Sequence, residues 1–208
     1  MNALARLSPA PPPPAPPAVK ARVMICDDSL VILGAIARML ASDPDIEVVA
    51  KVGNGRAAIE ELARTKVDVA VLDIEMPVLD GMAALPLLLK ADPGLRVVMA
   101  STLTTRGADI AMRALRLGAA DYVPKPSSVG FGGDEAFRKE IVEKVKGLAR
   151  LRRGSSAASR PPPPLRPRPA ALRQPRLLAI GSSTGGPQAL FTLFQGLGKT
   201  LPVPVVLT

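Results

Sequence analysis

Val19-Lys-Ala-Arg-Val-Met-Ile-Cys26 runs directly into Asp27-Asp28-Ser29, and the reading of this stretch decides the fold. The first part is almost wholly apolar after Arg22, which predicts a strand buried on both faces. Ser29 is a helix N-cap residue, and Leu30 to Ser42 follows with apolar residues at helical spacing. A strand ending in two carboxylates just before a helix is the opening unit of a parallel sheet. In such sheets ligands bind at the carboxyl ends of the strands.

The same alternation continues outward. Ile46–Val52 and Val67–Leu72 are short β-branched runs, with a helix predicted over Arg56–Arg64 between them. Leu95–Ala100 and Ala120–Val123 predict two further strands, separated by a helix over Asp109–Leu117 that Gly118 is placed to close. Asp134–Arg152 carries Phe137, Ile141, Val145 and Leu148 on one helical face. The expected fold class is α/β, a (βα)5 domain with a parallel five-stranded sheet covered by helices on both sides. A helix over Met82–Lys90 contains Pro86, which predicts a late start or a kink.

Composition bounds the setting. The chain has 208 residues, 48% hydrophobic, with only 2% aromatic, so aliphatic side chains must fill the core. A single cysteine, Cys26, excludes an internal disulfide and suits a reducing cytoplasm. There is no signal-peptide pattern and no apolar run long enough for membrane insertion. The net charge of +9 is concentrated between Arg150 and Arg176, which hold eight arginines and no acid, and the remainder is nearly neutral. That stretch is rich in proline and serine and lacks aromatics. It reads as a solvated, semi-rigid spacer, not a nucleic-acid surface. The expected organisation is a Pro-rich tail over 1–19, a folded domain over 20–150, a Pro/Arg linker over 151–175 and a second folded piece over 176–208.

Asp27 and Asp28 follow the first strand, Asp73 the third, Ser101 the fourth and Lys125 the fifth. Three carboxylates on one sheet edge repel one another unless a divalent cation sits among them, and hard oxygen donors suit Mg²⁺. A cation and a lysine beside one carboxylate are what phosphoryl transfer to that carboxylate requires.

Asp27-Asp28-Ser29, Asp73-Ile-Glu-Met-Pro77 with Asp80-Gly81, Met99-Ala-Ser101 and Tyr122-Val-Pro-Lys125-Pro126 together resemble the response-regulator receiver family. The resemblance implies phosphorylation of Asp73 by a histidine kinase. It also implies Mg²⁺ binding by Asp28 and Asp73 with the Glu75 carbonyl, and an acidic pocket shaped by Asp27. Ser101 and Lys125 would contact the phosphoryl group, and Tyr122 would move with Ser101 on activation. A cis Lys125–Pro126 bond is a further implied feature.

Gly181-Ser-Ser183-Thr-Gly185 fits G-x-S-x-G between a strand, Leu177–Ile180, and a helix over Gln188–Leu197 with Pro187 at its first position. A second strand is expected over Val203–Leu207. The pattern lacks the lysine of a phosphate-binding P-loop. With an upstream receiver it resembles the chemotaxis protein-glutamate methylesterases (CheB). The resemblance implies Ser183 as nucleophile on receptor glutamate methyl esters, with glutamine deamidation as a companion activity. It implies a histidine just beyond Leu207, an aspartate further on, and no cofactor in the esterase part. The implied partners are a chemotaxis histidine kinase and methyl-accepting chemoreceptors. The sequence contains no histidine and ends at Thr208, so these 208 residues are expected to be inactive as an esterase. The alternative function is a stand-alone receiver acting as a phosphorylation-dependent binding module.

Overall fold

The computed structural model describes residues 19–102, 107–126, 135–157, 176–182, 184, 186–197 and 201–208. The Pro-rich tail, the linker over 158–175 and Ser183 lie outside them.

Five strands alternate with five helices: β1 Ala21–Cys26, α1 Leu30–Ala41, β2 Ile46–Val52, α2 Gly55–Leu62, β3 Val69–Asp73, α3 Gly81–Ala91, β4 Arg96–Thr102, α4 Gly107–Arg116, β5 Asp121–Lys125 and α5 Glu135–Ala157. The strands form one parallel sheet in the order β2-β1-β3-β4-β5. The order reverses between β1 and β3, so their carboxyl ends open the crevice in which such sheets place ligands.

The period of two in each strand sorts the core into two layers. Val23, Ile25, Val69, Val71, Val98 and Ala100 face one side, where Leu33, Ile36 and Leu40 of α1 and Phe137, Ile141, Val145 and Leu148 of α5 cover them. Met24, Cys26, Ala70, Leu72, Val97 and Met99 face the other, against Ala58, Ala84, Leu85, Leu88 and Ala114. Most of these side chains are aliphatic and fully buried, each worth about 1.5–3 kcal/mol of burial.

Helix starts follow the capping chemistry of the sequence. The Ser29 Oγ, Asn54 Oδ1 and Asp80 Oδ1 accept from Ile32, Ala57 and Ala83 N–H at 3.4, 2.9 and 2.8 Å. Gly118 adopts φ 109° after α4, as a C-terminal glycine cap should.

Several expectations are corrected. The third helix neither starts late nor breaks: α3 begins at Gly81 and runs through Pro86 to Ala91. Pro86 lies on the exposed face of the helix. No peptide bond among the described residues is cis, Lys125–Pro126 included; the trans form is the lower-energy isomer of an X–Pro bond. Finally, α5 does not stop at Arg152 but continues to Ala157.

Beyond the linker, β6 Leu178–Ile180, α6 Gly186–Gly196 and β7 Val205–Leu207 form a strand–helix–strand unit with parallel pairing of the two strands. The second strand starts after Pro204, which has no N–H for a ladder.

One backbone position is strained. Val78, in the turn between β3 and α3, has φ 67° and is 81% exposed. A β-branched residue in the left-handed region costs roughly 1–2 kcal/mol, and an exposed side chain recovers none of it by packing. Asn accepts this conformation readily. Val78→Asn is therefore expected to stabilise the protein by about 0.5–1 kcal/mol in urea titration, with an unchanged m-value.

Candidate functional site

The carboxyl edge of the sheet brings the acids and the lysine together. Asp27 directly follows β1, and its backbone N–H continues the sheet by donating to the Val52 carbonyl at 3.0 Å. Its Oδ1 accepts from the Ser29 N–H at 3.0 Å, fixing the carboxylate at the entry to α1. Asp73 closes β3, with Ala100 of β4 beside it in register. Lys125 closes β5. Its Nζ stands 2.5 Å from Asp27 Oδ2 and 2.6 Å from Asp73 Oδ1.

All three groups are buried: Asp27, Asp73 and Lys125 are 1%, 7% and 3% exposed. Asp28 is exposed, yet one oxygen of its carboxylate lies within 4.8 Å of one oxygen each of Asp27 and Asp73, which lie within the same distance of each other. Three carboxylates against one ammonium leave negative charge that hard oxygen donors would share with a divalent cation. The donor set thus fits a metal ion: two buried oxygens held in place and one exposed acid at the mouth.

The electrostatics follow from this crowding. Burial pushes the Asp73 carboxyl above its ordinary value, opposed by the hydrogen bond and charge of Lys125, with Asp27 raising it further. Burial, assisted by the negative charges of Asp27 and Asp73, pushes the Cys26 thiol up to about 12. That thiol donates to Met76 Sδ at 3.4 Å beneath the site. Burial also raises the Tyr122 phenol.

The remaining residues take separate positions. Ser101 lies on β4 one residue past the partner of Asp73, opposite Pro124 of β5. Tyr122 packs against the second core layer, and its buried hydroxyl has no partner among the described residues. Glu75 is exposed and, with Asp28, Asp80 and Arg113, lines a groove of about 800 Å³ beside the acids. Ser183 lies outside the described residues, so no geometry is given to it.

Gly81 has a role that sequence reasoning did not assign. Its N–H donates to the Ile74 carbonyl at 2.9 Å. A Cβ there would stand 1.9 Å from the Asp73 carbonyl oxygen. Only glycine lets α3 start against the backbone of Asp73. The Asp80-Gly81 pair was the available signal, a cap followed by a residue without a side chain.

The Response regulator receiver domain family matches residues 23–130. The chain belongs to the response-regulator receiver family. Beyond the receiver, it is similar to protein-glutamate methylesterase/protein-glutamine glutaminases. It is 51% identical to the one of the group 2 operon of Rhodospirillum centenum, over 88% of this chain and 54% of that protein. It is 49% identical to that of Azospirillum brasilense, over 90% of this chain and 53% of the relative. The response regulator domain of Thermotoga maritima CheB, a crystal structure, superposes with a TM-score of 0.58 at 37% identity, covering 63% of this chain and 97% of that domain. The chain spans about half the length of the curated relatives it matches. No helix among the described residues is long and apolar enough to cross a membrane.

Two outcomes follow from the site's electrostatics. Lys125→Met leaves two buried carboxylates uncompensated and should cost about 3–5 kcal/mol in urea titration at neutral pH. Removing the cation raises the folded-state affinity of Asp73 for a proton still further. The folded variant then holds a proton that the unfolded chain releases, so its stability falls as pH rises and the deficit is larger at pH 8 than at pH 5. The raised Cys26 thiol should react with iodoacetamide at pH 8 at least a hundred-fold more slowly in the native protein than in 8 M urea, read by mass spectrometry.

Proposed function

We propose that Asp73 accepts a phosphoryl group from a histidine kinase and that this modification regulates a chemoreceptor methylesterase. One observation carries the first half: a buried carboxylate at the end of β3 with a lysine ammonium 2.6 Å away and two further acids beside it. An Asp73 oxygen attacks phosphorus as the phosphohistidine P–N bond breaks, leaving an acyl phosphate on the receiver and a neutral kinase imidazole after protonation. Asp28, Asp73 and the Glu75 carbonyl would hold Mg²⁺, with Asp27 shaping the pocket. When bound, the ion neutralises charge on the transferring phosphoryl oxygens. Lys125 is positioned to exchange its contact with Asp73 for one with the new phosphate, and Ser101 to donate a hydroxyl to it. Tyr122 follows Ser101 as the switch residue.

The second half rests on the kinship with methylesterases and on the G-x-S-x-G turn. In the full-length protein Ser183 is the nucleophile on receptor glutamate methyl esters, and the same site deamidates glutamines. The histidine and aspartate that complete its triad are not among these 208 residues. Chemotaxis kinase and methyl-accepting receptors are the partners, in the cytoplasm.

Incubation with Mg²⁺ and acetyl phosphate should add one phosphoryl group, detected by intact-mass spectrometry, and Asp73→Asn should abolish it. Labelling that persists in Asp73→Asn sinks the assignment. In the full-length protein, Ser183→Ala should remove methanol release from methylated receptor with or without phosphodonor, while phosphorylation at Asp73 stays intact.

A further inference from the structure

Another buried carboxylate sits at the opposite edge of the sheet, away from the proposed chemistry. Asp68 lies just before β3 and is 5% exposed. Its Oδ2 accepts from the Arg22 backbone N–H and from Arg153 Nη2, each at 3.0 Å. Its Oδ1 stands 3.4 Å from Arg152 Nε. Arg152 Nη2 reaches 2.8 Å to Asp92, the residue that closes α3. Arg153 also donates to the carbonyls of Val19 and Lys20. The last turns of α5 are thereby joined to the starts of β1 and β3 and to the end of α3.

Exposed arginine–carboxylate pairs contribute little, because water and salt compete for both partners. This one differs. Asp68 is almost fully enclosed, and the Arg152 side chain is only 15% exposed. Withdrawing the arginines would leave a buried carboxylate with the Arg22 N–H alone, a costly state. The network therefore resists opening.

We propose that Asp68 and Asp92 form a receptor for the beginning of the interdomain connector. Together with Arg152 and Arg153 they clamp the end of α5 to the receiver. Residues that composition assigns to a solvated spacer become a rigid stub. The stub fixes the connector's point of departure at the amino edge of the sheet, the edge opposite Asp73. This goes beyond the phosphotransfer and esterase readings and does not depend on either.

Limited trypsin digestion of the 208-residue chain, followed by mass spectrometry, tests the clamp. Arg160, Arg166 and Arg168 are each followed by proline, a bond trypsin does not cut, whereas Arg152, Arg153 and Arg176 are not. Arg176 is exposed and serves as the internal reference. Cleavage after Arg152 and Arg153 should be at least ten-fold slower than after Arg176. Asp68→Asn should remove most of that difference. Amide hydrogen exchange on Arg153→Gln supplies a second arm that tolerates a fold defect in Asp68→Asn. Exchange over residues 151–157 should quicken ten-fold or more while β1 and β3 stay protected. Equal cleavage rates at Arg153 and Arg176 in the wild type, or unchanged exchange in Arg153→Gln, would overturn the proposal.

Discussion

One ammonium group between two carboxylates organises the carboxyl edge of this sheet. Among the described residues Lys125 contributes the only positive charge in contact with Asp27 and Asp73, and all three groups are nearly closed to solvent. Ion pairs in that setting are a poor source of net stability, since the desolvation of each partner offsets the attraction. Their value here is geometric. The lysine holds Asp73 facing the mouth of the crevice, and three acids against one cation leave the set short of positive charge. A site built this way has the charge deficit that a divalent cation would balance.

The backbone serves that arrangement more than the side chains do. Asp27, Asp73 and Lys125 come from strands far apart in sequence, and parallel pairing brings their ends level. Gly81 then lets α3 start against the Asp73 carbonyl, and Asp80 caps the same helix. Val78 carries the resulting backbone strain in the turn between them. The β3–α3 connection is thus tight where it supports the acid and strained where it faces water, a distribution common at functional sites.

Much of this was legible from residue pattern. The period of two in the strands, the caps at Ser29 and the glycine at 118 each name a local conformation with a physical cause. The five polar groups at strand ends follow from the parallel sheet once the strands are placed. The errors arose where the deciding interaction is distant in sequence or depends on solvent. Pro86 predicts a late start or a kink, yet α3 starts at Gly81 and continues through it, with the proline on the exposed face. Arg152 and Arg153 read as part of a solvated, acid-free stretch because their partners, Asp68 and Asp92, lie some 60 to 85 residues earlier. Charge counted along the chain cannot see charge balanced across the fold. Ser183 marks a different boundary: its motif names a turn, and the residue lies outside the described part of the structure.

The two edges of the sheet divide the work. At the carboxyl edge, the acids and Lys125 have unbalanced charge and an exposed mouth, properties that favour exchange of ligands. At the amino edge, Asp68 and Asp92 face two arginines, a balanced set in which each charge has a partner. A signalling domain needs both kinds of edge. The first is suited to changing its contacts; the second is suited to keeping them. Helix α5 carries contacts of the second kind along its length, with Lys144 bound to Asp121 and the Tyr122 carbonyl at the start of β5 and Arg152 and Arg153 bound to Asp68 further on. The helix is thus held at its middle against the start of β5 and near its end against Asp68 and Asp92, so the connector leaves from a segment fixed to the amino edge.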